Sequence, residues 1–265
     1  LEKEILNMDE AAELFGVSIK TFIKLLREED VPARKIGREW RFSKNALVDW
    51  LSKGSSKMYS SSEQDTRQFF EKIADKWEEI SSGLYDHSII NKLIDSNLLN
   101  KDMTVLDYGS GDGFISRGIA SHVGKIIAMD MSASMLDELE RKAKLQGIAN
   151  ILTVECEESE VPFRDARVDL VCASMILHHI EFPGEIIKEF YRVLKPKGVL
   201  FVAELLPHDD EEFQKSMHDR HKGINPAALE QWLLEAGFGN IDFEKLPGTD
   251  KEKKDIFVLT ATKAE

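Results

Sequence analysis

The segment Val105-Leu-Asp-Tyr-Gly-Ser-Gly-Asp-Gly113 restricts the fold more than any other part of the chain. A short apolar run ending in Asp107 passes into glycines at 109, 111 and 113 and then into a helix expected to start near Phe114. Glycine lets the backbone turn sharply and lie directly beneath a ligand, and the N–H groups opening the next helix favour polar or anionic groups. Strand, glycine loop and helix make the opening unit of a doubly wound α/β sheet, which binds ligands at the carboxyl ends of its strands. The rest of the chain fits that frame. Short β-rich apolar runs at Thr104–Leu106, Lys125–Met129, Ile151–Val154, Val168–Ala173, Val199–Ala203, Ile241–Glu244 and Ile256–Ala261 alternate with longer amphipathic stretches. A seven-stranded, mostly parallel sheet is the expected architecture.

A dinucleotide-binding fingerprint would place its third glycine at position 114, where this chain has Phe114, so a nicotinamide cofactor is disfavoured. The next apolar run, Ile126-Ile-Ala-Met-Asp130, ends in an acid seventeen residues after Gly113. A carboxylate there can accept both hydroxyls of a ribose. These two segments resemble the first motifs of the class I S-adenosylmethionine-dependent methyltransferases, and the resemblance runs from about Asp65 to the end of the sequence. It implies S-adenosyl-L-methionine as cofactor and S-adenosyl-L-homocysteine as its product. Asp107, Gly109, Ser110, Gly111 and Gly113 would cradle the methionine moiety and ribose, Asp130 would hold the ribose hydroxyls, and Met131 would lie against adenine. The stretch Cys156-Glu-Glu-Ser-Glu-Val-Pro-Phe163 is similar to the family's turn after the third strand. That makes Glu157, with Glu158 as the alternative, the acid for the adenine amino group.

The run Val168–Ser174 continues into Met175-Ile-Leu-His-His-Ile180, which resembles the small-molecule branch that includes the ubiquinone and menaquinone enzymes. Ser174 would approach the methionine end of the cofactor. A sulfonium methyl is already activated, so catalysis consists mainly of alignment and exclusion of water; a phenol or amine acceptor also needs a base, for which His178 and His179 are the candidates. Further on, His208, His218 and His221 with Asp209 form a polar cluster expected on the substrate side. Their spacings match no standard zinc pattern, so surface charge is preferred to metal ligation. Phe69, Phe70, Ile73, Ala74 and Trp77 form an apolar stripe that serves either as a lid over the site or as core.

The first fifty residues read differently. Asn7 or Asp9 can cap a helix that Gly16 ends, Ser18 can cap a second from Ile19 to Glu28, Gly37 turns a hairpin, and Asn45 to Leu51 resumes a helix. The pattern MDEAAELFGVSIKTFIKLL…VPARKIGREWRF…ALVDWL resembles the excisionase and MerR-like winged helix-turn-helix domains. It implies DNA as partner, with Lys20, Thr21, Lys24 and Arg27 toward the major groove and Arg34, Lys35, Arg38 and Arg41 on the wing. A Ser-rich stretch follows, so the expected domains are a winged helix-turn-helix over 1–52, a linker over 53–64 and the methyltransferase over 65–265.

Charge sharpens the division. The net charge is −13, yet residues 1–57 hold eleven Lys/Arg against ten Asp/Glu, leaving about −14 on the remainder. Bulk electrostatic coating of nucleic acid is thereby excluded, any DNA contact is local, and a single small module would need a homodimer for useful affinity. Two cysteines, Cys156 and Cys172, provide neither a disulfide framework nor a four-thiolate zinc site, nor the several thiols of arsenite chemistry. No Pro-Pro-Tyr or Pro-Cys motif for a flipped DNA base is present. With no apolar run long enough for a membrane span and charges interleaved through Leu1–Glu10, a cytoplasmic location without membrane partners is expected. The reading that follows is a small-molecule methyltransferase tethered to a DNA-binding module and regulatory in character. The alternatives are a regulator whose α/β domain senses S-adenosylmethionine or S-adenosylhomocysteine without turnover, and an RNA or protein methyltransferase.

Overall fold

The computed structural model describes residues 4–28, 31–37, 39–53, 56–157, 161–246 and 254–264. It contains two compact units, Leu1–Ser62 and Glu63–Glu265.

In the first unit, α1 (Met8–Leu14) starts at a capping box in which the Asn7 side chain accepts the Glu10 N–H and Glu10 accepts the Asn7 N–H, both at 2.9 Å. Such a cap stabilises a helix start by about 1 kcal/mol, and it is Asn7 rather than Asp9 that supplies it. Gly16 turns the chain with φ +67°, and Ser18 Oγ accepts the Thr21 N–H to open α2 (Ile19–Glu28). The wing is the hairpin β2 (Arg34–Ile36) and β3 (Glu39–Ser43), and α3 (Lys44–Lys53) follows. A short strand the composition did not announce, β1 (Ile5–Leu6), pairs antiparallel with β3, giving the order β1-β3-β2. Phe22, Phe42 and Leu47 are fully buried between these elements with Ala11 and Ala12.

The expected linker is helical from Ser56 onward: α4 (Ser56–Ile73) reaches back over it, of which Glu63 onward belongs to the second unit. Serine is only a moderate helix former, but Lys, Met, Glu and Gln interleave here, and once a helix is nucleated each added residue gains a backbone hydrogen bond. The apolar stripe through Trp77 is likewise not one helix. After Ile73 a single 3₁₀ turn (Ala74–Lys76) intervenes before α5 (Trp77–Ser82), and α6 (Ser88–Asp95) follows.

The sheet of the second unit is built from β4 (Thr104–Tyr108), β5 (Lys125–Asp130), β6 (Ile151–Glu155), β7 (Val168–Ser174), β8 (Leu194–Leu205), β9 (Phe238–Leu246) and β10 (Ile256–Lys263). Its order is β6-β5-β4-β7-β8-β10-β9; the first five strands are parallel, while β10 runs antiparallel to both β8 and β9. The connecting helices are α7 (Phe114–Ile119), α8 (Ala133–Leu145), α9 (Pro183–Val193), α10 (Glu211–Ser216) and α11 (Pro226–Ala236). Strand alternation divides the core between two faces. Leu106, Val171, Ala173, Leu200 and Val202 meet Ile187 and Phe190 of α9 and Leu229 and Leu233 of α11. Val105, Leu170, Cys172, Phe201 and Ala203 meet Ile89, Ile90 and Leu93 of α6 and Ile115 and Ile119 of α7. Both faces being covered, the central strands carry near-continuous apolar runs, and truncating one such side chain to alanine typically costs about 2–5 kcal/mol. The strand order reverses between β4 and β7, which opens a crevice at their carboxyl ends. No helix among the described residues is long and apolar enough to cross a membrane.

Candidate functional site

A cavity of about 910 Å³, counted to its open mouth, lies at that reversal point. The sheet brings to its wall Asp107 from β4 with Gly109, Ser110 and Gly111 after it, Asp130 at the end of β5 with Met131 after it, Glu157 beyond β6, and Ser174 at the end of β7 with His179 beyond it. Gly113 and His178 stand behind that wall rather than in it. Glu158 lies outside the described residues.

Each wall residue has a local cause. Asp107 ends a buried strand and caps the helix beyond the loop: its Oδ2 accepts Ser116 Oγ–H at 2.6 Å and Ser116 N–H at 3.0 Å. Burial pushes its pKa up to about 6 against the pull of those two bonds. Gly113, at φ +84°, is the left-handed entry to α7, and a Cβ there would come within 2.5 Å of Leu139 Cγ. Gly111 faces the cavity: its φ is +51° and a Cβ on it would project to 3.6 Å from Trp77 Nε1. Asp130 accepts Gly111 N–H on Oδ2 at 2.8 Å and Ser132 N–H on Oδ1 at 2.9 Å, while burial raises its pKa in spite of them. A carboxylate offers about four lone-pair positions, so with the Gly111, Ser132 and Met131 N–H groups beside it Asp130 keeps acceptor capacity for a ligand. Ser110 Oγ is buried without a hydrogen-bond partner. Glu157 is exposed and paired with Arg67 at 2.6 Å.

Several wall residues were not singled out from the sequence. Thr66, Tyr85 and Phe114 line the cavity, and Phe70 and Trp77 join them from the apolar stripe. Phe70 and Trp77 stack edge to face at 5.3 Å and pack with Ala74 and Met135, so the stripe is core and cavity wall at once. Below the loop, Asp112 is paired with the buried Lys142 at 2.6 Å, and Lys142 also reaches Glu78 at 2.8 Å. Only their distance in sequence concealed this pair.

At the far end of the wall stand the histidines. His178 Nδ1 lies 2.6 Å from Glu204 Oε2, and since a carboxylate only accepts, Nδ1 carries the proton. Glu204 is wholly buried and also accepts the N–H groups of Leu177 at 2.6 Å and Leu205 at 3.0 Å. Burial works to lower the His178 pKa, but the charge and hydrogen bond of Glu204, aided by Asp219, outweigh it and raise it. His179 is held well below the usual range by burial and by the neighbouring His178. Asp219 is pushed up to about 6 by burial, although His178 pulls the other way.

His208, His218 and His221 do not converge. The His208 ring accepts the Asp210 N–H at 3.3 Å, His221 Nε2 bonds Ile180 O at 2.8 Å, and His218 stacks on Phe69 at 4.5 Å with Asp209 exposed nearby in sequence. Their loop is nevertheless docked on the site, because the N–H groups of Arg220 and His221 both bond His178 O at 3.0 Å.

On the first unit, Lys20 and Thr21 are exposed at the start of α2, with the Thr21 hydroxyl 2.7 Å from Ser18 Oγ. Arg34 stands opposite Arg41 across the hairpin, and Lys35 lies 6.0 Å from the Trp40 ring centre. Arg41 bonds Glu39 and the Trp40 carbonyl. Arg38 and the side chains of Lys24 and Arg27 lie outside what the structure describes.

Residues 106–202 match the family described as "Methyltransferase domain", and residues 5–55 match "Helix-turn-helix domain". A ubiquinone/menaquinone biosynthesis C-methyltransferase UbiE of Chromobacterium violaceum is 30% identical over 173 residues, covering 54% of this chain and 70% of that one. The chain belongs to the S-adenosylmethionine-dependent methyltransferases. A ubiquinone biosynthesis O-methyltransferase of Coxiella burnetii is 27% identical to this methyltransferase over 198 residues, covering 65% of this chain and 81% of its own. Among solved structures, a SAM dependent methyltransferase from Aquifex aeolicus shares the fold with a TM-score of 0.58 at 22% identity, over 74% of this chain and 97% of its own. The methyltransferase thus carries a helix-turn-helix domain ahead of its catalytic fold.

Proposed function

We propose that the second unit transfers a methyl group from S-adenosylmethionine to a small organic acceptor, and that the helix-turn-helix unit binds DNA and gives the enzyme a regulatory setting. The observation that carries the first part is the loop at the cavity floor: an unpartnered Ser110 Oγ, an open face above Gly111 and a cavity-lining Asp130 that keeps acceptor capacity for a ligand. These match the needs of an amino-acid end and a ribose diol. Ser110, Gly109, Gly111 and Asp107 would hold the methionine moiety with Ser174, Asp130 the ribose, Met131 the adenine face and Glu157 its amino group. When bound, the sulfonium supplies an activated methyl: its carbon–sulfur bond breaks as the acceptor's bond to that carbon forms and the acceptor's proton is released.

The chain's own residues do the rest. Phe70, Trp77 and Tyr85 give the wall an apolar lining that excludes water, which strengthens every electrostatic contact inside. His179, uncharged at neutral pH, stands on the wall where an acceptor's exchangeable hydrogen would lie, with the His178 ring 4.3 Å from its own. An acidic unit of about −14 disfavours a nucleic-acid acceptor, and a recessed cavity lined by Phe70, Trp77 and Tyr85 suits a small organic one. The test is S-adenosylhomocysteine formation with phenolic, amine, RNA and protein acceptors in turn. Turnover with small acceptors alone is expected; turnover with RNA or protein alone contradicts the reading, and binding without turnover in every class replaces it with a sensor.

For DNA binding, the exposed Lys20, Arg34 and Lys35 on α2 and the wing are the support. Fluorescence anisotropy with duplex DNA over a salt series should show affinity falling as salt rises, through counterion release. Salt-independent or absent binding contradicts it.

A further inference from the structure

Behind the His179 end of the cavity, His178, His179 and Asp219 each bring one ligand-type atom to within 4.8 Å of the other two. All three side chains are buried, Asp219 with 8% exposure. Neither carboxylate oxygen of Asp219 has a hydrogen-bond partner, and neither does His179 Nδ1. Folding does not ordinarily strand a buried carboxylate in this way, because its lost hydration goes uncompensated. We propose that these three side chains bind a divalent first-row transition cation, zinc foremost.

The geometry agrees with such a centre. Asp219 Oδ1 lies 3.4 Å from His179 Nδ1 and 3.8 Å from His178 Nε2. Tetrahedral coordination with bonds near 2 Å sets neighbouring ligand atoms about 3.3 Å apart, so small side-chain adjustments complete the shell. Two imidazoles and one carboxylate suit zinc or iron, whereas calcium and magnesium prefer oxygen ligands alone. The supporting contacts are those a metal histidine requires. Glu204 accepts the Nδ1–H of His178, which fixes the tautomer whose Nε2 can ligate, and Glu204 is itself held by the N–H groups of Leu177 and Leu205. Asp219 is positioned by its own N–H on Gln214 O at 2.9 Å and by the bonds of Arg220 and His221 to His178 O. The sequence hid the centre because Asp219 follows His179 by forty residues and belongs to no short motif.

Cation binding stands apart from the methyl-transfer reading. Its role rests on that reading: positive charge beside the His179 wall would promote proton loss from a hydroxyl acceptor, as a Lewis acid does.

The full chain, stripped with a chelator, would be titrated with Zn²⁺ and separately with Co²⁺, whose visible absorption reports coordination by nitrogen and oxygen. One equivalent should bind to the wild type and to the exposed-site control His122→Gln. Asp219→Asn and His179→Gln should weaken binding on the order of 100-fold, and Glu204→Gln by about 10–100-fold. Failure to bind one equivalent, or equal affinity in both ligand variants, overturns the proposal. Should Asp219→Asn lose its circular-dichroism signature, His179→Gln and the wild-type cobalt spectrum decide. Calorimetry with S-adenosylhomocysteine on the same samples separates the two claims, since either ligand can bind while the other does not.

Discussion

Asp130 Oδ2 accepts the backbone N–H of Gly111 at 2.8 Å, tying the end of β5 to the tip of the loop that follows β4. The acid is therefore oriented before any ligand arrives, and the loop is held in its left-handed bend by the residue that would bind the sugar. A ligand engaging Asp130 need not order that loop on binding, which lowers the entropic cost of association.

Gly111→Ala tests the loop directly. The φ of +51° makes a Cβ unfavourable by about 1–2 kcal/mol, and that Cβ would stand in the cavity facing Trp77. The variant should remain folded with a melting temperature a few degrees lower, and lose S-adenosylhomocysteine affinity tenfold or more by calorimetry. Unchanged affinity would show that nothing binds against this face.

Lys142→Met removes the ammonium that meets the buried Asp112 at 2.6 Å. Stability should fall by about 3 kcal/mol, the lower end for a broken buried pair, because Arg117 lies 3.6 Å from the same carboxylate. The double variant Asp112→Leu with Lys142→Met should recover part of the loss in urea unfolding. Additive losses in the two single variants would show that the groups do not interact.

Asp107 gives a pH signature. Its folded pKa of about 6 lies above the ordinary 3.8, so the native state holds the proton more tightly than the unfolded chain. That contribution is present in full below pH about 4 and is lost as pH rises through about 6, a change on the order of 3 kcal/mol. Asp107→Asn, which mimics the protonated form and keeps an acceptor for Ser116, should gain stability relative to wild type across this interval. Parallel pH profiles for the two proteins would remove the claim.

On the helix-turn-helix unit, Arg34→Ala with Lys35→Ala should weaken binding to every duplex alike and reduce the salt slope by about 2, one per lost phosphate contact. A change confined to certain sequences would reassign these side chains to base reading.

The central parallel strands were legible because they are covered on both faces and stand out as apolar runs, β4 and β5 each ending at or beside an acid. The start of β8 was less so. The apolar run was expected to open at Val199, yet β8 already begins at Leu194, and the register shift between Val168 and Leu170 on the parallel β7–β8 pair absorbs the extra residues as a bulge. Asp130 and the glycines could be found because strand and loop are adjacent in sequence. Glu204, at the end of an apolar strand, looks like a solvated strand terminus; only the fold shows it fully buried on His178. His208, His218 and His221 suggested a cluster by proximity in sequence, but a loop sends neighbouring side chains in different directions, and the residue that reaches the site is Asp219 between them. The helix over the expected linker was hidden by serines, which mark a loop only when no helix beside them extends into it.

The central claim is that the cavity at the β4–β7 reversal holds S-adenosylmethionine by its ribose through Asp130. Isothermal titration of the full chain with S-adenosylhomocysteine, wild type against Asp130→Ala, measures this most directly. One site per chain in the wild type and no detectable heat in the variant, with the variant's circular dichroism unchanged, is the predicted result. No binding to the wild type, or equal affinity in a folded variant, would contradict it.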